Sequence, residues 1–244
     1  DAIGHAYYAV REGRADAMLV GGAESVLIEL AVQGFHQMGA LTESADLLRA
    51  SIPFDKERQG FVIGEGAAFL LLESEASAKK RGAVPLGSLA GYAQTCDAHH
   101  ITAPQPEGRQ AARAMAEAIR DAGIPKEQIG YINAHGTSTP LNDATESLAI
   151  ESCFGEHAKN LKVSSTKSMT GHMLGAAGAF EAVLSLLALN EGVAPPTIGL
   201  ENEDEVCRLN YVKGKAQKLE SDYALSNSFG FGVHNSCLVL KRGR

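Results

Sequence analysis

Apolar and polar residues follow one another along the chain in blocks that predict alternating helices and short buried strands. The clearest strand is the apolar run 67–72 (AAFLLL), which is too short for a helix and lies between Gly66 and Glu73. Strands that alternate with helices predict a layered α/β architecture in which helices pack on sheets. The predicted strands are 17–20, 67–72, 86–93, 129–134, 162–165, 223–227 and 236–240, and the predicted helices are 2–12, 74–81, 107–122, 143–154 and 171–189.

The predicted helix 171–189 is apolar on nearly all sides, with Leu184 on one face and Val183 on another. A helix of this kind has to lie inside the protein. Its beginning is polar, because Lys167 and His172 lie at or just before the first turn. Polar groups at the start of a buried helix need partners or a substrate.

The composition is that of a soluble globular protein. The 244 residues are 45% hydrophobic and 21% charged, and 22 basic against 29 acidic side chains give a net charge of −7. This acidic balance argues against a general nucleic-acid binder. We predict no apolar run of membrane-spanning length and no signal peptide. The cysteines are widely spaced without a CxxC pair, which indicates reduced thiols in the cytoplasm; they are Cys96, Cys153, Cys207 and Cys237.

Candidate chemistry is concentrated in three glycine-containing segments. His135 follows a predicted strand, where ligands of α/β proteins commonly bind, and His172 lies close to Lys167. A neutral imidazole can donate a hydrogen bond to a carbonyl oxygen. Two imidazoles and an ammonium group suit an enolate better than a metal, since the ammonium repels a cation. The segments are 133–146 (NAHGTSTPLNDATE), 165–178 (STKSMTGHMLGAAG) and 226–235 (SNSFGFGVHN).

These three segments resemble the β-ketoacyl-acyl carrier protein synthases, condensing enzymes with a thiolase-like fold, and most closely the elongating synthase II type. Residues 53–67 (PFDKERQGFVIGEGA) and 95–104 (TCDAHHITAP) match in kind and order, so the resemblance covers nearly the whole chain. It implies an α/β fold of thiolase-like αβαβα layers, truncated at the N-terminus. Residues 1–84 would be the latter part of the N-terminal half, and 85–244 the C-terminal half.

The resemblance implies a 3-oxoacyl-[acyl-carrier-protein] synthase of type II fatty acid elongation. In this reaction a cysteine takes the acyl group from carrier-protein phosphopantetheine, malonyl-carrier protein loses CO₂, and the resulting enolate attacks the acyl thioester. His135 and His172 would hold the malonyl thioester carbonyl and stabilise the enolate. Lys167 would tune the histidines, through an ion pair with Glu146, and Asp143 would be structural.

Other residues match the substrate-binding and gating positions of this family. Thr137 and Thr139 resemble the threonines that contact pantetheine, and Thr102 would line the same tunnel. Phe231 resembles the gating phenylalanine, and its amide would help to build the oxyanion hole. Phe229 would support that loop.

The chain departs from the family pattern in two places. Val233 replaces the second glycine of the family's FGFGG loop, and we expect altered loop opening if that position needs a positive φ. The family's nucleophilic cysteine lies roughly half a dozen residues before the position of Asp1, at a helix N-terminus that lowers the thiol pKa. None of the four cysteines has such a place. We therefore expect the C-terminal portion of a longer synthase, inactive by itself because the nucleophile is absent.

The resemblance implies no cofactor and no metal. It implies acyl carrier protein as partner, a homodimer, a cytoplasmic location, and no contact with nucleic acid or membrane. Two alternatives stay open: a polyketide-type ketosynthase with the same chemistry, and a non-catalytic partner similar to a chain-length factor. The presence of His135, His172 and Lys167 together argues against the non-catalytic partner.

Overall fold

The computed structural model describes residues 1–232 and 234–243. Each predicted strand and helix is present at or near the predicted residues, although several ends differ. The helices are α1 (Ala2–Arg11), α2 (Glu29–Gln37), α3 (Glu75–Lys80), α4 (Arg109–Asp121), α5 (Pro140–Phe154), α6 (Lys167–Thr170) and α7 (Ala177–Glu191). The strands are β1 (Ala17–Glu24), β2 (Gly66–Glu73), β3 (Gly87–Cys96), β4 (Ile129–Asn133), β5 (Lys162–Ser164), β6 (Val193–Ala194), β7 (Gln217–Lys218), β8 (Tyr223–Gly230) and β9 (His234–Arg242).

A five-stranded mixed sheet with the strand order β3-β9-β8-β4-β5 forms the larger of the two main sheets. Strand β4 runs parallel to both of its neighbours, whereas β9 runs antiparallel to β3 and β8. Asn133 at the end of β4 pairs with Ser164 on one side and Ser226 on the other. The chain segments that follow β4 and β5 therefore leave the same edge of the sheet, next to the outer half of β8.

The second sheet is the antiparallel pair β1–β2, in register from Ala17 opposite Glu73 to Glu24 opposite Gly66. Helices α4 and α5 pack together beyond the larger sheet, where α4 contacts β3, β8 and β9. Helix α7 contacts β8 and β9 of the larger sheet and β1 and β2 of the smaller one, and α1 contacts β1, β2 and β3. The predicted layered α/β architecture is confirmed. The division of the chain at residue 84 stays a prediction.

Helix α7 is buried between the two sheets, largely through small side chains. The predicted start of this helix is wrong. Gly171, with φ +69°, ends the single turn α6, and a 3-10 turn at Leu174–Ala176 precedes α7. His172 therefore lies in a break between helical turns. The buried residues of α7 are Ala177, Ala179, Glu181, Ala182, Ser185, Leu186, Ala188 and Leu189.

The prediction that no apolar run reaches membrane-spanning length is also wrong. The segment Leu174–Glu191 is long and apolar enough to cross a membrane by length and composition. Half of this segment is buried within the chain, against both sheets. Such burial is typical of the core helix of a packed fold, whose apolar surface is covered by other elements.

Candidate active site

His135 is presented by the loop that follows β4, two residues beyond Asn133. The adjacent Gly136 has φ +36°, and a Cβ there would come within 2.5 Å of the Ser165 side chain, so the position requires glycine. The carboxylate of Glu146 on α5 accepts hydrogen bonds from the backbone N–H of His135, at 2.9 Å, and of Gly136, at 2.8 Å. These two bonds fix the loop and hold the imidazole at the edge of the sheet.

His172 is held by the break between α6 and the 3-10 turn. Its backbone N–H donates to the carbonyl of Val62 at 2.7 Å, and the N–H of Gly64 donates to the carbonyl of His172 at 3.0 Å. Its Nδ1 accepts a hydrogen bond from the backbone N–H of Leu174 at 3.2 Å. Because Nδ1 is an acceptor, the proton of the neutral ring lies on Nε2, which can donate to a substrate.

The structure brings the two predicted histidines together in one cavity of about 400 Å³. Their ring centroids are 5.3 Å apart, and the rings are nearly perpendicular at 84°. The Phe229 ring lies 5.8 Å from the His135 ring, and the Phe61 ring lies 5.1 Å from the His172 ring. Nδ1 of His135 is buried and has no hydrogen-bond partner within residues 1–232 and 234–243. Such an atom is expected where a ligand binds.

The predicted ion pair between Lys167 and Glu146 is wrong. The Lys167 ammonium donates to Glu181 of α7, and both side chains are at most 3% exposed. Glu146 instead accepts hydrogen bonds from the two loop N–H groups and from the Asn227 amide, the latter at 3.0 Å. Glu181 is a residue that the sequence reasoning missed. A single charged residue inside an apolar helix was the available signal, since a buried charge needs a partner.

Burial and charge keep both imidazoles neutral at physiological pH. Burial is the largest cause that lowers the pKa of His172, to about 3, and the nearby Lys167 ammonium lowers it further. Burial lowers the pKa of His135 well below its ordinary value, with additional effects of Lys167 and His172. Burial raises the pKa of Glu181 to about 7, although Lys167 acts in the opposite direction. Two neutral N–H donors in a buried cavity can stabilise an oxyanion.

A pH titration checks this electrostatic interpretation. The folded-state pKa of His172 is about 3. The ring should therefore stay neutral from pH 8 to pH 5, and its Cε1–H NMR signal should not shift in that range. An imidazole with the ordinary pKa of about 6.5 would be almost fully protonated at pH 5. A midpoint near 6.5 in the His172 signal, assigned by comparison with His172→Gln, would contradict the interpretation.

Comparison with known proteins decides the family. The model of the β-ketoacyl synthase N-terminal domain matches residues 1–78, and the model of the β-ketoacyl synthase C-terminal domain matches residues 86–201. The chain belongs to the β-ketoacyl synthase family.

Curated relatives of this β-ketoacyl synthase chain share about half of its residues. It is 54% identical over 243 residues to 3-oxoacyl-[acyl-carrier-protein] synthase 2 of Synechocystis sp., covering 99% of this chain and 58% of that protein. It is 49% identical over 242 residues to the Staphylococcus aureus protein of the same name, again covering 99% of the chain and 58% of the relative. The chain thus spans 58% of the length of these relatives.

Solved ketosynthases have the same fold. A ketosynthase in complex with its type II PKS acyl-carrier protein superposes with a TM-score of 0.96 at 40% identity, covering 99% of this chain and 60% of that one. A β-ketoacyl synthase from Burkholderia phymatum gives a TM-score of 0.93 at 39% identity, covering 100% of this chain and 59% of that one. The predicted thiolase-like fold class is confirmed.

The threonines of this β-ketoacyl synthase chain line the same cavity as its histidines. The hydroxyls of Thr137 and Thr139 are hydrogen-bonded to each other at 2.9 Å. Thr102 is exposed at the rim of the cavity. Asp143 does not line the cavity; it is fully buried and accepts a hydrogen bond from the backbone N–H of Phe54 at 2.8 Å. The predicted contacts with pantetheine stay predictions.

The phenylalanine-bearing loop closes one side of the cavity. Phe229 lies against His135, whereas Phe231 is 49% exposed and has φ +42°. The Phe231 ring stacks on Phe35 of α2 at 6.4 Å, a residue that the sequence reasoning missed. The predicted gating role of Phe231 and the contribution of its amide to an oxyanion hole stay predictions. Val233 lies outside the described residues.

None of the four cysteines lines the cavity that the described residues form. Cys96 is exposed at the end of β3. Burial raises the pKa of Cys153 and Cys207 to about 11 and that of Cys237 above its ordinary value, which disfavours the thiolate. The Asp1 carboxylate at the start of α1 accepts a hydrogen bond from Ser236, whose neighbour Asn235 lines the cavity. The start of α1 is therefore bonded to β9 one residue away from the cavity lining.

Proposed function

We propose that the protein containing this chain is a 3-oxoacyl-[acyl-carrier-protein] synthase that condenses malonyl-carrier protein with an acyl-enzyme thioester in type II fatty acid elongation. The observation that carries the proposal is the pair of neutral imidazoles, 5.3 Å apart, in a cavity bounded by Phe229 and Phe231. The names of the relatives from Synechocystis and Staphylococcus aureus support the same reaction.

In the decarboxylation step, the N–H groups of His135 and His172 donate to the thioester carbonyl oxygen of the malonyl group. The bond between the carboxylate and the α-carbon breaks, CO₂ leaves, and the electron pair moves onto this oxygen as an enolate. Because both imidazoles are neutral donors in a buried site, they stabilise the enolate more strongly than the ground-state carbonyl. Burial is the main cause that keeps the rings neutral, and the Lys167 ammonium, held in place by Glu181, adds to it.

In the condensation step, the enolate α-carbon attacks the carbonyl of the acyl thioester. A carbon–carbon bond forms, the thiolate leaves with the electron pair of the carbon–sulfur bond, and the product is a 3-oxoacyl thioester. The Phe231 amide would donate to the oxyanion of this step. All the groups named act as hydrogen-bond donors or charges, so the step requires no resident cofactor or metal.

We assign the nucleophile to a cysteine outside residues 1–244, near the N-terminus of α1, where the helix dipole lowers a thiol pKa. Isolation of the acyl-enzyme and peptide mapping by mass spectrometry tests this assignment. The acyl group should be on a peptide outside the 244 residues, and acylation should stay stoichiometric when the four cysteines are replaced together by serine. An acyl thioester on Cys96, Cys153, Cys207 or Cys237 would disprove the assignment.

The experiment that tests the reaction uses the full-length protein with malonyl- and acyl-carrier protein. Release of CO₂ together with a carrier-protein product two carbons longer than the acyl substrate is expected. Absence of both from a folded protein would refute the proposal. Acyl carrier protein is the proposed partner, supported by the ketosynthase neighbour in complex with its carrier protein. A homodimer in the cytoplasm is proposed with it.

A polyketide-type ketosynthase is the second candidate, because neighbours include a type II PKS ketosynthase and the ishigamide ketosynthase/chain length factor, at TM-scores of 0.96 and 0.91. Its decarboxylation and condensation would be the same. The products distinguish the two candidates, since a polyketide-type enzyme extends 3-oxoacyl chains that have not been reduced. A non-catalytic partner would carry out neither step.

A further inference from the structure

The backbone between the two cavity threonines has an unusual conformation. Ser138, between Thr137 and Thr139, has φ +69° and is completely buried. A non-glycine residue in this left-handed region is strained and persists only where neighbouring groups hold it. The contacts that hold residues 137–140, the threonine loop, therefore determine where the hydroxyls of Thr137 and Thr139 lie.

Asp143 of α5 supplies some of those contacts, and the turn at residues 52–58 supplies the others. The backbone N–H of Ile52 donates to the Ser138 hydroxyl at 3.0 Å. The guanidinium of Arg58 donates through Nε to the carbonyl of Thr139 at 3.1 Å and through Nη2 to the carbonyl of Pro140 at 2.9 Å. One side chain thus holds two consecutive carbonyls of the threonine loop.

Arg58 is itself fixed in place. It is 7% exposed, and its Nη1 donates to the carbonyl of Asp55 at 2.8 Å and to the carboxylate of Asp204 at 2.6 Å. The buried carboxylate of Asp143 lies 3.8 Å from its Nε. A planar guanidinium can make these bonds in fixed directions at once, whereas a lysine ammonium cannot reproduce that fork.

We propose that Arg58 is a positioning residue, which acts through Thr137 and Thr139 on the amide-bearing arm of the substrate. The inference rests on the proposed function, in which that arm is the phosphopantetheine of a carrier protein. Two hydroxyls, each a donor and an acceptor, can bind the carbonyl and N–H groups of an amide. The arm binds at the threonines and the reaction occurs at the histidines, so a displaced threonine loop weakens binding of the arm and leaves the chemical step intact.

The test compares two malonyl thioesters in decarboxylation by the full-length protein. Malonyl-pantetheine carries the amide groups, and malonyl-S-ethyl has the same reacting atoms without them. We expect Arg58→Lys to lower kcat/KM for malonyl-pantetheine by about tenfold, mainly through KM, which corresponds to about 1.4 kcal/mol. For malonyl-S-ethyl, kcat/KM should change by less than about twofold, which is much smaller than the tenfold loss expected for malonyl-pantetheine.

Arg49→Lys is the matched control. Arg49 belongs to the same region and bonds the Gly199 carbonyl and the carboxylates of Asp55, Glu57 and Glu201, but it makes no hydrogen bond or ion pair with residues 137–140. The Arg49→Lys variant should have the same kcat/KM as the wild-type protein for both substrates. Asp204→Asn, at a partly exposed partner of Arg58, is the second variant if Arg58→Lys does not fold. It should lower only the malonyl-pantetheine value, by a smaller factor.

A second readout asks whether Arg58 acts through the threonines. In the background of Thr137→Val and Thr139→Val, Arg58→Lys should add little further loss for malonyl-pantetheine, because coupled residues are not additive. Equal losses for both substrates, or full additivity, would overturn the inference and leave a merely structural arginine. If the wild-type protein decarboxylates neither substrate, the proposed function itself is wrong.

Discussion

Replacement of His172 by alanine in the full-length protein is expected to lower the rate of malonyl decarboxylation by about 10²–10⁴-fold, the range for loss of a positioned donor. The Nε2 proton of this ring is fixed by the hydrogen bond that Nδ1 accepts from Leu174. Alanine removes the donor and leaves the buried enolate oxygen with one imidazole instead of two. The rate is measured as CO₂ release from malonyl-carrier protein.

His99→Ala is the control for this experiment. His99 is exposed and does not line the cavity, so its removal should leave the rate unchanged. The acylation step should also survive His172→Ala better than decarboxylation does, because the enolate forms only in the latter. Near-normal decarboxylation by a folded His172→Ala protein would remove this residue from the mechanism.

The second large effect concerns stability. Lys167→Met should reduce the free energy of unfolding by about 3–5 kcal/mol, the usual cost of leaving one partner of a buried ion pair unpaired. The unpaired group would be the Glu181 carboxylate, which is 3% exposed. The midpoint of urea unfolding of the full-length protein measures the loss.

Double variants identify the partner of Lys167. Lys167→Met combined with Glu181→Leu should recover most of the lost stability, whereas Lys167→Met combined with Glu146→Gln should not.

The pH dependence of this loss of stability has a defined sign. Burial raises the pKa of Glu181 to about 7, so this carboxyl binds a proton more tightly in the folded state than in the unfolded state. The contribution of Glu181 to the free energy of unfolding therefore falls as the pH rises from about 4.5 to 7. Lys167→Met should therefore be less destabilising at pH 5 than at pH 8.

The positions of strands and helices could largely be predicted from the sequence, since most of them are short apolar runs or amphipathic stretches. Strand β1 shows the limit of that reasoning. Gly21 and Gly22 predict the end of a strand, yet β1 continues to Glu24. A Cβ on Gly21 would come within 2.1 Å of the Ala68 carbonyl, and one on Gly22 within 2.2 Å of the Gly175 carbonyl. The glycines permit close packing, which only the folded structure reveals.

The candidate site could be predicted in its members but not in its pairing. The segments with His135 and His172 carry recognisable polar patterns, and their chain order after β4 and β5 brings them to one edge of the sheet. Which glutamate pairs with Lys167 depends on how α5 and α7 are oriented in the fold. Glu146 accepts hydrogen bonds from backbone N–H groups, and Glu181 forms the ion pair with the Lys167 ammonium. The role of Arg58 could not be predicted, because its hydrogen bonds to Thr139 and Pro140 go to backbone carbonyls, which no sequence pattern displays.

The alanine-rich character of α7 determines how thick the protein is between its two sheets. Ala179, Ala182 and Ala188 pack there with at most 7% of their surface exposed, and larger side chains at these positions would push the sheets apart. His135 is connected to the larger sheet through β4. The backbone of His172 is hydrogen-bonded to Val62 and Gly64, just before β2 of the smaller sheet. The small side chains of α7 therefore help to set the distance between the imidazole rings of His135 and His172.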